Sequence, residues 1–171
     1  MEHKSDLPTA QELIRAFELS PHPEGGFFKQ TYRSSEGILG ENLPDRFSGD
    51  RAYSTAIYYL LSEGQVSKLH RIKSDEIWHF YLGGSLIVAG IDEAGKPYEV
   101  KLGQNIAQGE KLQYVVKAGH WFGAYLAPGS AFSFVGCTVS PGFEYEDFEF
   151  GDRAQLLSQF PAASKLIEAL T

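Results

Sequence analysis

The stretch Gly64-Gln65-Val66-Ser67-Lys68-Leu69-His70-Arg71-Ile72-Lys73-Ser74-Asp75-Glu76-Ile77-Trp78-His79-Phe80-Tyr81-Leu82-Gly83 decides the fold. It contains two strand-like segments, 67–72 and 76–82, joined by a short polar link. Residues i and i+2 of a strand share a face, so His70 lies on the side of Ile72, and Glu76 on the side of Trp78 and Phe80. Outward from this stretch the pattern repeats. Residues 27–33 alternate, with Phe28, Gln30 and Tyr32 opposed to Lys29, Thr31 and Arg33. Residues 53–61, 85–91, 98–102, 112–116, 120–126 and 131–139 read as further strands. Turn signals such as Asp92-Glu93-Ala94-Gly95 and Pro128-Gly129 separate them. Many short strands with regular punctuation predict an all-β domain, an antiparallel sandwich or barrel spanning 27–150.

Helical signals flank the strands. Thr9-Ala10-Gln11-Glu12 fits a capping box and opens a predicted helix over 9–20, with Leu13, Ile14 and Phe17 on its apolar face and Ser20-Pro21 as its stop. Asp152 and Gln155 form a second such start, and Leu156, Leu157, Leu166, Ile167 and Leu170 mark short helices within 152–170. Residues 36–51 carry Gly37, Gly40, Pro44 and Gly49 without a period, which reads as a disordered or lid-like loop. In 143–150 a bulge at Glu146-Asp147 would keep Phe143, Tyr145, Phe148 and Phe150 on one face. The acids there read as a cation site or, in the reading adopted, as charge protecting an edge strand. His3 is expected in a disordered tail.

Composition narrows the function classes. The chain has 171 residues, with 15 Lys+Arg against 22 Asp+Glu and a formal net charge of −7. That balance argues against nucleic acid or an anionic membrane as partner, since both require a basic face. Cys137 is the single cysteine, so neither an internal disulfide nor a cysteine-rich zinc site is available. No apolar run is long enough to span a bilayer, and Asp6, Pro8 and Glu12 stand where a signal peptide would be apolar. The expectation is one cytoplasmic domain, 1–171, that handles a small molecule.

Gly64, His70, Glu76 and Gly83 fall at the spacing of the first signature of the cupin superfamily, G-x5-H-x-H-x3,4-E-x6-G, with Ile72 in place of the second His. The second signature, aligned on Gly119, meets Lys111, Lys117, Phe122 and Leu126 at its other fixed positions. Four segments resemble a small group of uncharacterised single-domain cupins of bacteria and fungi. They are Pro21-His22-Pro23-Glu24-Gly25-Gly26, Ser74-Asp75-Glu76-Ile77-Trp78-His79-Phe80, Ala118-Gly119-His120-Trp121-Phe122-Gly123 and Pro141-Gly142-Phe143-Glu144-Tyr145-Glu146-Asp147-Phe148-Glu149. The resemblance covers residues 10–170 and implies a jelly-roll barrel, usually a homodimer, without an assigned activity. In metal-binding cupins three His and a Glu hold the ion, and here two of those positions are Ile72 and Phe122, which have no lone pairs. No metal and no cofactor are therefore expected. His79 and His120 are the candidate substitutes. However, odd spacing from Glu76 turns His79 to the opposite face, and His120 falls at a turn.

The expected site is an aromatic cavity with few polar groups. His70 and Glu76 are the candidate catalytic pair, with Tyr59 or Tyr125 as acid. Trp78, Phe80 and Trp121 are the expected walls, and His79 and His120 are further ligand contacts. His22, between two prolines, closes the barrel mouth or makes a dimer contact. A neighbouring carboxylate favours imidazolium while burial opposes it, so such a His titrates near neutrality and serves as a general base. The constellation is similar in type to that of metal-independent sugar epimerases of the superfamily. Three readings stand: an epimerase or isomerase acting on a sugar or nucleotide sugar, a non-catalytic metabolite-binding module, and a metallo-cupin with an altered ligand set.

Overall fold

The computed structural model describes residues 7–171, so His3 lies outside the described residues. The chain opens with α1 (Ala10–Ala16), β1 (Ser20–Pro21), β2 (Phe27–Arg33), β3 (Gly37–Ile38) and β4 (Arg51–Ala52). β5 (Thr55–Ser62), β6 (Val66–Arg71), β7 (Asp75–Gly83), β8 (Leu86–Ile91) and β9 (Pro97–Leu102) follow. β10 (Gln113–Val116), β11 (Trp121–Leu126), β12 (Phe132–Ser140) and β13 (Glu149–Phe150) complete the strands, before α2 (Arg153–Gln159) and α3 (Ser164–Leu170). The strands form a six-stranded sheet, β1-β2-β5-β12-β7-β10, and a five-stranded sheet, β13-β6-β11-β8-β9, with β3 and β4 paired apart. Each pairing of named strands is antiparallel, as a jelly-roll barrel requires.

Alternation produces the core. Tyr59 and Leu61 of β5, Trp78 and Phe80 of β7 and Val135 of β12 point inward from the large sheet, against Leu86 and Val88 of β8 and Phe122 of β11. The opposite parity of the small sheet, including Leu69, Ile91 and Trp121, is covered by Leu156 of α2 and Ile167 and Leu170 of α3. Leu13 of α1 and Leu19 cover Leu60 and Phe134 on the outside of the large sheet. Both outer layers remove apolar strand faces from water, the dominant favourable contribution to folding. Among the described residues no helix is long and apolar enough to cross a membrane.

Three expectations need correction. The capping box of Thr9 and Glu12 is present, but α1 ends at Ala16 rather than continuing to residue 20. Glu18 adopts φ 52°, and Leu19 turns back to donate its N–H to the Ile14 carbonyl at 2.9 Å, which packs its side chain beneath the helix. The 36–51 segment is not a structureless loop. β3 pairs with β4, Phe47 is buried beneath the guanidinium groups of Arg46 and Arg51, and Arg46 Nε donates to the Lys73 carbonyl at 2.7 Å.

Residues 143–150 do not form one bulged edge strand. A 3-10 turn over Tyr145–Asp147 precedes the short β13, and Phe150 faces solvent while Asp147 is buried. The acids there do meet a cation, but it is the buried Arg51. Its Nε and Nη2 donate to the two carboxylate oxygens of Asp147, each at 2.7 Å. Glu146 lies 2.7 Å from the same guanidinium, and Lys73 Nζ stands 3.6 Å from Asp147. This bidentate pair fastens the β4 segment to the 143–148 segment. Breaking a buried pair leaves an uncompensated charge at a cost of roughly 3–5 kcal/mol. Asp147→Ala should therefore lower the unfolding free energy, read from denaturant titration, by an amount in that range. A loss under about 1 kcal/mol, the usual yield of an exposed pair, would contradict the latch.

Candidate functional site

The turn before β2 builds one side of the site. Gly25 and Gly26 have φ of 112° and 73°. A Cβ on Gly25 would run into the Val66 carbonyl, and one on Gly26 would come within 2.6 Å of the Leu60 carbonyl. Two glycines therefore let the turn lie flat against β5 and β6. Lys68 N–H donates to the Glu24 carbonyl at 2.8 Å, and the Tyr59 hydroxyl donates to the Gly25 carbonyl at 2.7 Å. Clamped in this way, Glu24 directs its carboxyl inward, where it is 6% exposed.

There it meets His70 of β6. Glu24 Oε2 lies 3.1 Å from His70 Nε2, and Oε1 accepts from Ser67 Oγ at 3.0 Å. His70 Nδ1 lies 2.7 Å from the Lys68 carbonyl, which can only accept, so Nδ1 carries a proton. A neutral His70 then has a bare lone pair on Nε2, and the contact with Glu24 requires one proton between the two atoms. It sits either on the carboxyl or on the imidazole. His22 completes this side: its Nδ1 accepts from Glu24 N–H at 3.2 Å and stands 3.8 Å from Glu24 Oε2.

Burial sets the proton affinities. It pushes the Glu24 carboxyl up to about 7, against the pull of His22 and the Ser67 hydroxyl. Glu76, from β7, is likewise pushed up to about 7 by burial, with His70 opposing and Glu24 reinforcing. Both imidazoles are lowered by the same desolvation. The Cys137 thiol is driven well up by burial and by Glu76, so it stays protonated and hydrogen-bonds that carboxyl. Two carboxyls thus exchange protons close to neutral pH, one of them against an imidazole, the arrangement general acid–base chemistry uses.

These groups face a cavity of about 100 Å³. It lies between the sheets, with Phe28, Ile57 and Val139 on the large-sheet side and Phe143, Tyr145 and Phe148 closing over it. The His70 ring is held between Phe122, with centroids 4.3 Å apart, and Phe148, at 5.1 Å and nearly parallel.

His70, Glu76 and His22 line this cavity, whereas the other expected residues stand elsewhere. Trp78 and Phe80 share the parity of Glu76 but lie further along β7, in the filled part of the barrel, where Trp78 packs edge-on against Tyr59 and Phe122. Trp121 faces the C-terminal helices under the Arg71 guanidinium, because its neighbour Phe122 is the inward residue paired with His70. Tyr59 is sealed behind the turn it clamps, and burial raises its phenol well above the ordinary value. Tyr125 is on the outer face, donating to Glu99 at 2.6 Å, with a pKa pushed up to about 12 by burial and that bond. His79 is also outside, bonded to Thr138 at 3.0 Å and Gln113 at 3.1 Å. His120 packs beside Tyr98, with Nδ1 buried and unpartnered. Glu24 was not anticipated as a site residue, although the Pro-x-Pro-Glu-Gly-Gly text was its signal.

The donor set does not fit a cupin metal. Ile72 stands in the cavity wall, the Phe122 ring occupies the space beside His70, and Nε2 of His70 is committed to Glu24. Among the described residues no group of three or more His, Cys, Asp or Glu is arranged to hold an ion.

Comparison with known proteins agrees with the barrel fold. A family model described as Cupin superfamily (DUF985) matches residues 11–151. The uncharacterized protein YML079W of Saccharomyces cerevisiae is 32% identical over 149 residues, 82% of this chain and 74% of that one. The crystal structure of protein SO0799 from Shewanella oneidensis is 36% identical with a TM-score of 0.85, covering 96% of this chain and 98% of the other. A hypothetical protein from Leishmania major is 33% identical with a TM-score of 0.86, covering 96% and 99%. A Bacillus subtilis oxalate decarboxylase variant shares the fold at 16% identity, with a TM-score of 0.53 over 88% of this chain and 37% of that one.

The Glu24 environment has a thermodynamic consequence. Folded Glu24 keeps its proton up to about pH 7, against an ordinary value of 4.5. Between those values the folded state binds more protons, so this residue's contribution to stability falls as pH rises through the window. Glutamine cannot titrate. The melting temperature of Glu24→Gln minus that of the wild type should therefore increase from pH 5 to pH 8; a flat or falling difference would contradict the assignment.

Proposed function

The chain belongs to the DUF985 family of the cupin superfamily, and on that premise we propose that its cavity binds a small sugar-like molecule and moves a proton on it without a metal, as an isomerase or epimerase. The observation that carries this reading is the single proton between His70 Nε2 and Glu24 Oε2, 3.1 Å apart, in a cavity that Glu76 also lines. Glu76 removes the proton next to a carbonyl. The Glu24–His70 couple hydrogen-bonds the carbonyl oxygen and supplies its shared proton as the enediol forms. Return of a proton to carbon, with the couple recovering its own, gives the isomer. A cavity of about 100 Å³ suits a small molecule or the reacting end of a larger one. Among the described residues its wall has no lysine or arginine for a nucleotide's phosphates.

The chain forms a homodimer in this reading through the outer face of the six-stranded sheet. Ala56, Tyr58, Ile77, Val115 and Thr138, half-buried, and Tyr81, exposed, surround His79 and put no carboxylate, lysine or arginine at the middle of that face. Such depletion of charge is characteristic of interface cores.

Incubation with small aldoses and ketoses in deuterated water tests the chemistry. Deuterium should enter the carbon next to the carbonyl, fastest near pH 7, where the product of ionised Glu76 and protonated Glu24–His70 couple is largest, and fall off on either side. His70→Ala and Glu76→Gln should each slow exchange by about 10²–10⁴-fold while the circular dichroism is retained. Saturable binding without exchange would instead establish a metabolite-binding module.

A further inference from the structure

We propose that the ligand of this cavity carries a positive charge: a small organic ammonium group, seated between Glu24 and Glu76 and against the rings of Phe28, Phe143 and Phe148. The inference deepens the reading of the cavity as a ligand site and rests on it, but not on any catalytic step. Within the carbohydrate reading it selects an amino sugar.

The charges facing the cavity are one-sided. Glu24 enters from the turn before β2 and Glu76 from β7, and the other titratable groups on the wall are His22, His70, Cys137 and Tyr145. No lysine or arginine is among the lining residues. The neighbouring guanidinium groups are already engaged, Arg51 with Asp147 and Glu146, and Arg33 with Glu144 and the Phe143 carbonyl. The two buried carboxyls therefore have no lysine or arginine as partner among the described residues; Glu24 meets only the imidazoles of His70 and His22, and both carboxyls hold their protons to about pH 7. An ammonium group entering the cavity supplies a full positive charge and allows the Glu76 proton to leave, while the Glu24–His70 couple keeps its shared one.

The walls suit the same chemistry. Phe143 stands edge-on to Tyr145, with centroids 5.1 Å apart at 80°, and edge-on to Phe148, at 6.3 Å and 80°. Rings at right angles present their negative faces from different directions, the geometry by which aromatic cages hold ammonium ions. A carboxylate or phosphate would meet repulsion from both acids. A neutral polyol would find hydrogen bonds but nothing to offset the buried carboxyl groups. A cavity of about 100 Å³ limits the charged end to a few carbon atoms.

The test uses the intact protein with 13C-labelled methyl groups, reading Ile57, Ile72 and Val139 on the cavity wall. The probes are n-propylammonium, 1-propanol, propionate and glucose, each titrated at pH 6 and pH 8. The expected result is that n-propylammonium shifts these methyls with a Kd at least about tenfold below that of 1-propanol, and binds more tightly at pH 8, where Glu76, pushed up to about 7, is mostly ionised. Propionate should bind no more tightly than 1-propanol at pH 6 and leave the methyls unmoved at pH 8. The Glu24→Gln/Glu76→Gln double variant should bring n-propylammonium to within about twofold of 1-propanol. If that variant does not fold, Glu76→Gln alone should lose the pH dependence in part. Binding of 1-propanol or propionate as tight as that of n-propylammonium overturns the charge assignment. Glucose binding without n-propylammonium binding overturns it too but leaves the ligand-site reading intact. Methyls that respond to no probe overturn both.

Discussion

Glu24 reaches the barrel interior because two consecutive glycines let the turn before β2 lie against β5 and β6, and once there its carboxyl has to share a proton with His70. The rest of the site depends on that contact. A carboxylate buried without a cation is costly, and the protein answers by protonation rather than by an arginine or lysine. The Lys68 carbonyl fixes the imidazole tautomer, so the shared proton is confined to one pair of atoms. Tyr59, Ser67 and the Lys68 N–H, all on β5 or β6, serve the same placement.

The barrel is divided along its length. Trp78, Phe80, Phe122 and Tyr59 fill one part completely, while the part bounded by His70, Glu76 and the 143–148 segment stays open. What keeps the second part from collapsing is the way its wall is held. Phe143 and Phe148 flank the turn that the Arg51–Asp147 pair ties to β4. Arg51 in turn lies over Phe47, so the long segment between β3 and β4 acts as a buttress for the cavity wall. Substitutions at Phe47 are thus linked to the site through packing, without touching a ligand.

Most strands were legible because an antiparallel barrel with a filled interior imposes alternation, and the turns carry Gly, Pro and Asp where the chain reverses. His70 and Glu76 were legible for the same reason, as inward residues of two adjoining strands. The walls were not. Trp78 has the correct parity, but its depth along the barrel depends on what the opposite sheet contributes, which local pattern does not encode. Trp121 and Phe122 are adjacent, and the turn at Gly119 resets which of them faces inward; the register against His70 decides it. Glu24 is remote in sequence from the pair it joins. The acids at 144–149 suggested an exposed edge because their partner, Arg51, lies on the far side of the domain in sequence.

The central claim, that two buried carboxyls hold their protons to near neutral pH and one of them shares its proton with His70, is tested most directly by nuclear magnetic resonance. Side-chain carboxyl carbons and histidine nitrogens would be followed against pH in the folded protein. The account predicts that the Glu24 and Glu76 carboxyl signals titrate near 7, while the His70 nitrogen shifts report a protonated Nδ1 throughout. Carboxyl midpoints at the ordinary value of 4.5, with His70 exchanging freely between tautomers, would contradict it.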